Sequence, residues 1–405
     1  MIDECLQATI FAYPHPVACM PHFPHAVPSK LPQVGTTIFT VMSALANAHD
    51  AVNLSQGFPD FPVPEKLVKS VAKHMKKGHN QYAPMAGVLP LREAVVAQFE
   101  DRYNAKYDPN SEVTITAGAT QALFTAITAL VKEGDEVLLF TPAYDCYAPA
   151  VELAGGSPVY IQLHAPDYQI DWAEVRRRVN RKTRMIVLNT PHNPTGTVLS
   201  PQDLKELERI VKDLEVLVLS DEVYEYMVFD GKQHQSMARS EVLQNRSLIV
   251  GSFGKTYHAT GWKTGYIIGP ENLMAEFRKV HQYNVFCHNT PVQYGLADFM
   301  GSSDHHMELA SFYQERRDVF LEGLKGTRFT TQPSGGTYFQ LLSYANIEEA
   351  PDVEVARRWT VEHGVASIPV SVFYHQPVNE HMLRFCFAKS NDTLERGLER
   401  LRAIG

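Results

Sequence analysis

Cysteine, long apolar runs and excess basic charge are what this chain of 405 residues has little of, and each shortage closes off a class of protein. The five cysteines (Cys5, Cys19, Cys146, Cys287, Cys386) are an odd number at wide spacing. They match neither a disulfide framework nor a paired-cysteine metal site, which points to a reducing, cytoplasmic setting. No apolar run approaches the roughly 20 residues that cross a bilayer. A net charge of -8 and a pI near 6.1, with Lys and Arg scattered along the chain, leave no electropositive footprint for nucleic acid. The opening stretch lacks the basic start of a secretory signal. Its His15, His22 and His25 keep no Cys or acid ligand set, so the expectation is a disordered lead-in over 1–29 and no metal. Small molecules remain as partners.

What is present is an ordinary globular composition, 44% hydrophobic and 20% charged, at a length that suits roughly two domains. Short apolar runs recur at 113–117, 136–140, 158–163, 185–190, 215–222, 247–253 and 265–269, with helical patterns such as 119–131 and 200–214 between them. Ser200 is placed to cap the second of these helices, with Pro201 in its first turn. Continuous rather than alternating apolar strands, separated by helices, predict a mostly parallel sheet covered on both faces. This α/β reading covers a large domain over 61–299. Beyond residue 300 a long charged helix, short strands and a terminal helix predict a smaller α+β domain over 300–405, joined by an N-terminal segment over 30–60.

Ligands of open α/β sheets lie beyond the carboxyl ends of the strands, so the polar residues there are examined first. Gly118-Ala119-Thr120 opens a helix whose free N–H groups suit a phosphate, although a Gly before a helix also serves as a plain tight turn. Asn193 precedes Pro194 and Gly196, which an ordinary Asn-Pro turn explains equally well. Asp221 ends an apolar run, with Tyr224 behind it; a buried carboxylate needs a cationic or hydrogen-bonding partner, while a helix cap is the plainer alternative. Lys255 follows the strand 247–253, where burial lowers an amine's pKa and makes it a nucleophile; Ser252 and Lys263 offer a hydroxyl and a charge nearby. A solvated surface lysine is the competing account.

Taken in order, YxxxxGxxxLR (Tyr82 to Arg92), GATQAL, PAYDCY, NTPHNPTG, SDEVYEYMVF, SFGKTYHATGWKTG and LRFCFAK resemble the class I/II aminotransferases of pyridoxal-phosphate (PLP) fold type I, over about residues 30 to 405. SQGFPDFPVP, HQYNVF and GVASIPVSVFY are similar to the branch holding methionine aminotransferase and the kynurenine/glutamine aminotransferases. The resemblance implies pyridoxal 5'-phosphate as cofactor, bonded to Lys255, with Asp221 at the ring nitrogen and Tyr224 and Asn193 at the ring hydroxyl. It implies Tyr144 on the ring face, and Ala119, Thr120, Ser252 and Lys263 on the phosphate. Tyr82 would reach the phosphate of a neighbouring subunit, hence a homodimer. Gly57, Asn193 and Arg384 would bind the substrate carboxylate, and Phe286, with Tyr82 and Phe58, would face its side chain. Much of the wider family has Arg where this chain has Lys263, which keeps the charge and loses the planar fork. The activity implied is transfer of the α-amino group of methionine or an aromatic-type L-amino acid, or of glutamine or kynurenine, to a 2-oxo acid by a ping-pong route. A β-lyase acting on cysteine conjugates shares every cofactor contact and is the closest alternative. A non-catalytic regulator needs a DNA-binding domain that the thirty-odd residues before the match are too short and too acidic to form.

Overall fold

Apolar runs without internal alternation become strands buried on both sides. The computed structural model describes residues 23–376 and 378–405; most of the lead-in expected over 1–29, with His15 and His22, lies outside them. The strands described are β1 (Val52–Asn53), β2 (Val113–Thr116), β3 (Glu136–Thr141), β4 (Ser157–Gln162), β5 (Thr183–Asn189), β6 (Leu217–Asp221), β7 (Ser247–Ser252), β8 (Gly265–Ile268), β9 (Phe339–Ser343), β10 (Val365–Ala366), β11 (Ile368–Pro369) and β12 (Met382–Cys386). Strands β2 to β8 are the seven apolar runs of the sequence. They form one sheet in the order β2-β8-β7-β6-β5-β3-β4, in which β8 alone runs against its neighbours.

Alternate residues of each strand feed two different cores. Leu138, Ile186, Val218 and Ile249 join the cluster on one face, while Val137, Leu139, Val187, Leu219 and Val250 pack with Ala122, Ala126 and Ile127 of the helix Ala119–Leu130 on the other. Full burial of a Val, Leu or Ile is worth roughly 1.5–3 kcal/mol, so a strand in the middle of this sheet gains from every residue rather than every second one. The helix Pro201–Val211 begins as its sequence predicts: the Ser200 side chain accepts from the Asp203 N–H, and Asp203 reaches back to the Ser200 N–H at 2.6 Å.

A third core lies under a three-stranded antiparallel sheet, β11-β12-β9, in the C-terminal part of the chain. Strand β1 pairs with β10 in parallel, Val52 opposite Val365, so the segment that leads to Gly57 is tied to that part of the fold. Among the described residues no helix is long and apolar enough to cross a membrane.

Candidate active site

Beyond the carboxyl ends of β5, β6 and β7 lies a cavity of about 430 Å³. Its wall includes Gly57, Ala119, Thr120, Tyr144, Asn193, Asp221, Tyr224, Ser252, Lys255, Lys263 and Arg384, together with Phe58. Of the residues singled out in the sequence, Tyr82 and Phe286 are absent from it. A more open groove of about 840 Å³ between the helices Leu309–Gly323 and Asn391–Ile404, whose charged lining residues are Glu315, Asp318, Glu322, Glu395 and Arg402, holds none of them.

One end of the cavity is built for an anion. Gly118, at φ 80°, turns the chain from β2 into the helix Ala119–Leu130, and no side chain caps the first N–H groups. A Cβ at Gly118 would stand 3.4 Å from Cε of Lys263, ordinary contact distance, so this lysine runs along the helix start. A Cβ at Gly265 would lie 3.0 Å from the Ala119 nitrogen and 2.7 Å from the Gly251 carbonyl, so β8 can close on the same turn only as glycine. Unpaired N–H groups, the positive end of a helix and a primary ammonium make a ready phosphate site. Thr120 Oγ1 meets the Tyr144 hydroxyl at 3.2 Å, which links this end to the ring of Tyr144.

At the centre are an acid and an amine, both moved by burial. Asp221, only 4% exposed at the end of β6, is pushed up to about 6, chiefly by desolvation and against a 2.6 Å hydrogen bond donated by the Tyr147 hydroxyl. It is not a helix cap: its Oδ1 accepts only a long 3.4 Å bond from the Val223 N–H. Asn189 sits opposite it on β5, donates to the Asp221 carbonyl at 2.9 Å, and accepts from the Asn193 N–H at 2.7 Å. That side chain therefore holds the HNPTG turn against the strand ends. Lys255, in the short helix Phe253–Thr256 capped by Ser252, is not a surface lysine. Burial brings it down to about 8, and its Nζ donates to the Tyr338 hydroxyl at 2.7 Å and the Gly57 carbonyl at 3.0 Å.

At the far end Arg384 is 1% exposed and has no acidic partner across the sheet, where it faces Leu341 and Ile368. Its Nη1 donates to Asn193 Oδ1 at 2.7 Å and its Nη2 to the Ser55 carbonyl at 3.3 Å, while its buried Nε has no partner. The guanidinium lies 3.9 Å from the Phe339 ring centroid, and burial lowers it to about 10. A desolvated guanidinium with an unused donor asks for a carboxylate.

The sequence profile described as "Aminotransferase class I and II" matches residues 49–401. The chain belongs to this family. The aminotransferase is 48% identical to the methionine aminotransferase of Escherichia coli, over 93% of this chain and 98% of that one. It is 36% identical to human kynurenine–oxoglutarate transaminase 1, over 88% and 93% respectively. A crystal structure of the Escherichia coli methionine aminotransferase superposes with a TM-score of 0.92, covering 94% of this chain and all of that one. Aspartate aminotransferase of Thermus thermophilus with maleate, 28% identical, superposes at 0.86 over 94% of this chain and all of that one.

In this aminotransferase Tyr82 and Phe286 stand apart from the cavity of their own chain. Tyr82 is 84% exposed, Phe286 is 41% exposed, and their rings meet edge to face at 5.5 Å. Three residues in or beside the site escape a reading from sequence. Asn189 is the last residue of an apolar strand and carries its own signal, a polar side chain just before the HNPTG turn. Tyr147 lies three residues after Tyr144 in PAYDCY, a spacing that offered a second aromatic at the same site. Tyr338 precedes β9, 83 residues from the amine it touches, and nothing local marks it.

Proposed function

We propose that this aminotransferase holds pyridoxal 5'-phosphate on Lys255 and passes the α-amino group of methionine or an aromatic-type L-amino acid, with glutamine and kynurenine as further donors, to a 2-oxo acid in ping-pong fashion. The observation that carries the reading is a buried guanidinium with no salt bridge among the described residues, Arg384, sharing one cavity with a buried acid and a lysine whose proton is loosened by desolvation.

The residues present suit the cofactor. Asp221 is a carboxylate penalised by burial, and a protonated ring nitrogen is the partner that would relieve it. Ala119 and Thr120 at the uncapped helix start, with Ser252 and Lys263, would hold the phosphate; Tyr144 would cover the ring face, and Tyr224 and Asn193 the ring hydroxyl. Once bound, pyridoxal phosphate supplies the electron-accepting ring that makes loss of a substrate's α-proton feasible.

The chain's own contributions follow. Arg384 grips the α-carboxylate with two parallel N–H donors, and Asn193 fixes the guanidinium, so the bond that breaks at Cα is aimed rather than merely nearby. Lys255, near 8, can hold the α-proton at Nζ and release it at neutral pH, a general acid–base role typically worth about 10² to 10⁴-fold. Asp221 stays ionised beside a cation, and the Tyr147 hydroxyl engages its Oδ2, leaving Oδ1 for the cation.

For the side chain, Phe39, Phe58, Tyr144 and Val223 line the wall, and the cations there are Lys255, Lys263 and Arg384, all engaged elsewhere in this scheme. Asp145 adds negative charge at the same wall. A neutral, apolar or aromatic side chain fits, and a second carboxylate does not; the methionine and kynurenine enzymes among the relatives support this. Tyr82 and Phe286, exposed and paired, would enter the site of a second copy, which makes the working unit a homodimer. The division into a large domain over 61–299 and a small one formed by the flanking parts belongs to the same proposal, supported by the pairing of β1 with β10.

Borohydride treatment of the PLP-loaded protein, followed by peptide mapping, is expected to fix the cofactor at Lys255. Half-reaction absorbance with methionine, phenylalanine, kynurenine, glutamine and aspartate is expected to rank aspartate last. An unlabelled Lys255, or aspartate ranked first, overturns the reading. Pyruvate release from a cysteine conjugate in excess of amino transfer selects the β-lyase instead.

A further inference from the structure

Tyr338 has no part in the scheme above, although its hydroxyl is the closest side-chain group to the reacting amine. It is fully buried at the start of β9, and its carbonyl is fixed by the Phe387 N–H at 3.0 Å. Its hydroxyl accepts from Lys255 Nζ at 2.7 Å and donates to the Gly57 carbonyl. That carbonyl also accepts from Nζ directly, at 3.0 Å. The Gly57 segment is itself pinned, since Lys389 donates to the Phe58 carbonyl at 2.9 Å. Nζ stands off the hydroxyl edge of the Tyr338 ring, while the Tyr224 ring centroid is 5.6 Å from it and the two rings meet edge to face at 5.1 Å.

We propose that Tyr338 and the Gly57 carbonyl form the resting cradle of the Lys255 amine, occupied whenever that amine is not joined to the cofactor. The proposal rests on the reading that Lys255 is the cofactor-bearing residue. A free amine inside this cavity faces Asp221 at the end of β6, Tyr224 just after it, Lys263 near the helix start, Arg384 and Cys386 on β12, and Tyr338. Left to itself a lysine ammonium would swing to the one strong anion among these, Asp221, and take the carboxylate that the ring nitrogen needs. Tyr338 prevents this by offering an acceptor while its own hydroxyl donates a hydrogen bond to a backbone carbonyl. Its phenol remains neutral throughout, because burial holds its ionisation well above the ordinary range. Two uncharged oxygens stabilise the ammonium enough to park it and too little to trap it. Tyr338 is thus a positioning group for Lys255.

Tyr338→Phe removes one oxygen and keeps the ring. In cofactor-free protein, acetylation of Lys255 by acetic anhydride across pH, read by mass spectrometry of its peptide, is expected to have its midpoint about one pH unit more acid than in the parent chain. In the loaded enzyme kcat with methionine is expected to fall on the order of tenfold or more while KM stays within about twofold. An unchanged midpoint with an unchanged kcat overturns the proposal. Should the variant not fold, replacing all tyrosines by 3-fluorotyrosine weakens the same acceptor without changing its shape. The same acid shift in the midpoint supports the cradle, and its absence overturns it. Borohydride fixation at Lys255 of the parent chain separates the two failures: without it the assignment of Lys255 falls, and with it a silent Tyr338→Phe removes only the cradle.

Discussion

Burial sets the chemistry of single residues in this site, and the sign of each effect is testable. Lys255, brought from 10.5 to about 8, is neutral in roughly one molecule in ten at pH 7, against about one in 3,000 for an ordinary lysine. Its rate of reductive methylation in the cofactor-free protein should therefore rise about tenfold per pH unit below 8 and level off above it, whereas surface lysines keep rising towards 10. A Lys255 that titrates with the surface set excludes the desolvated amine. For Asp221 the folded value, about 6, lies above the ordinary 3.8. The stability linked to its protonated form is complete below about pH 4 and is lost as pH climbs through 6. By pH 7 the penalty approaches about 3 kcal/mol as an upper bound. Asp221→Asn in the cofactor-free protein is accordingly expected to melt higher than the parent at pH 7.5 and to lose that advantage near pH 4, while transamination collapses. A lower melting temperature at pH 7.5 contradicts this. Arg384→Lys keeps a charge and loses the fork, and a fall of about 10²-fold in kcat/KM is expected. A change smaller than threefold would mean that Arg384 does not bind the α-carboxylate.

Individual elements follow local rules where local rules decide. Ser200→Ala removes an N-cap far from the cavity, so urea unfolding should show a loss of about 1 kcal/mol with kinetic constants unchanged. Any large change in KM would place this helix nearer the site than the structure does. The seven central strands were legible in the sequence because burial on both faces writes an unbroken apolar run, as in MIVLNT and SLIVGSF. So were the acids and amides at their ends, Asn193 and Asp221, since a polar group directly after such a run needs a reason. Strands β10 and β11, of two residues each, are too short to write any period. Tyr147 and Tyr338 read as ordinary core aromatics, because what distinguishes them is the atom at the end of a long-range contact. Arg384 was legible through its motif alone; locally it is a cation on a buried strand, and the absence of an acid opposite it is visible only in three dimensions.

For the whole molecule the decisive question is whether a site borrows from a second copy. Tyr82 lies beside Phe286 on the outside of its own chain, so under the proposed homodimer a Tyr82→Ala subunit keeps its Lys255 and lacks only the residue it would lend to its partner's site. Mixing inactive Lys255→Ala and Tyr82→Ala homodimers, then allowing exchange, creates mixed dimers in which one of the two sites is complete. Random pairing makes roughly a quarter of all sites whole, and about that share of parental activity is expected to return. No recovery after verified exchange means that Tyr82 serves its own chain or none.

The place of Arg384 late in the chain has a consequence for the protein while it is being made. When Ile268 has left the ribosome, all seven strands of the large sheet, with Lys255, Asp221 and Lys263, already exist. Arg384 is translated 116 residues later, a lag of roughly 6 to 23 s at about 5–20 residues per second. On the proposed assignment, the nascent polypeptide would own a vitamin pocket before it owned a handle for amino acids, and loading could precede turnover.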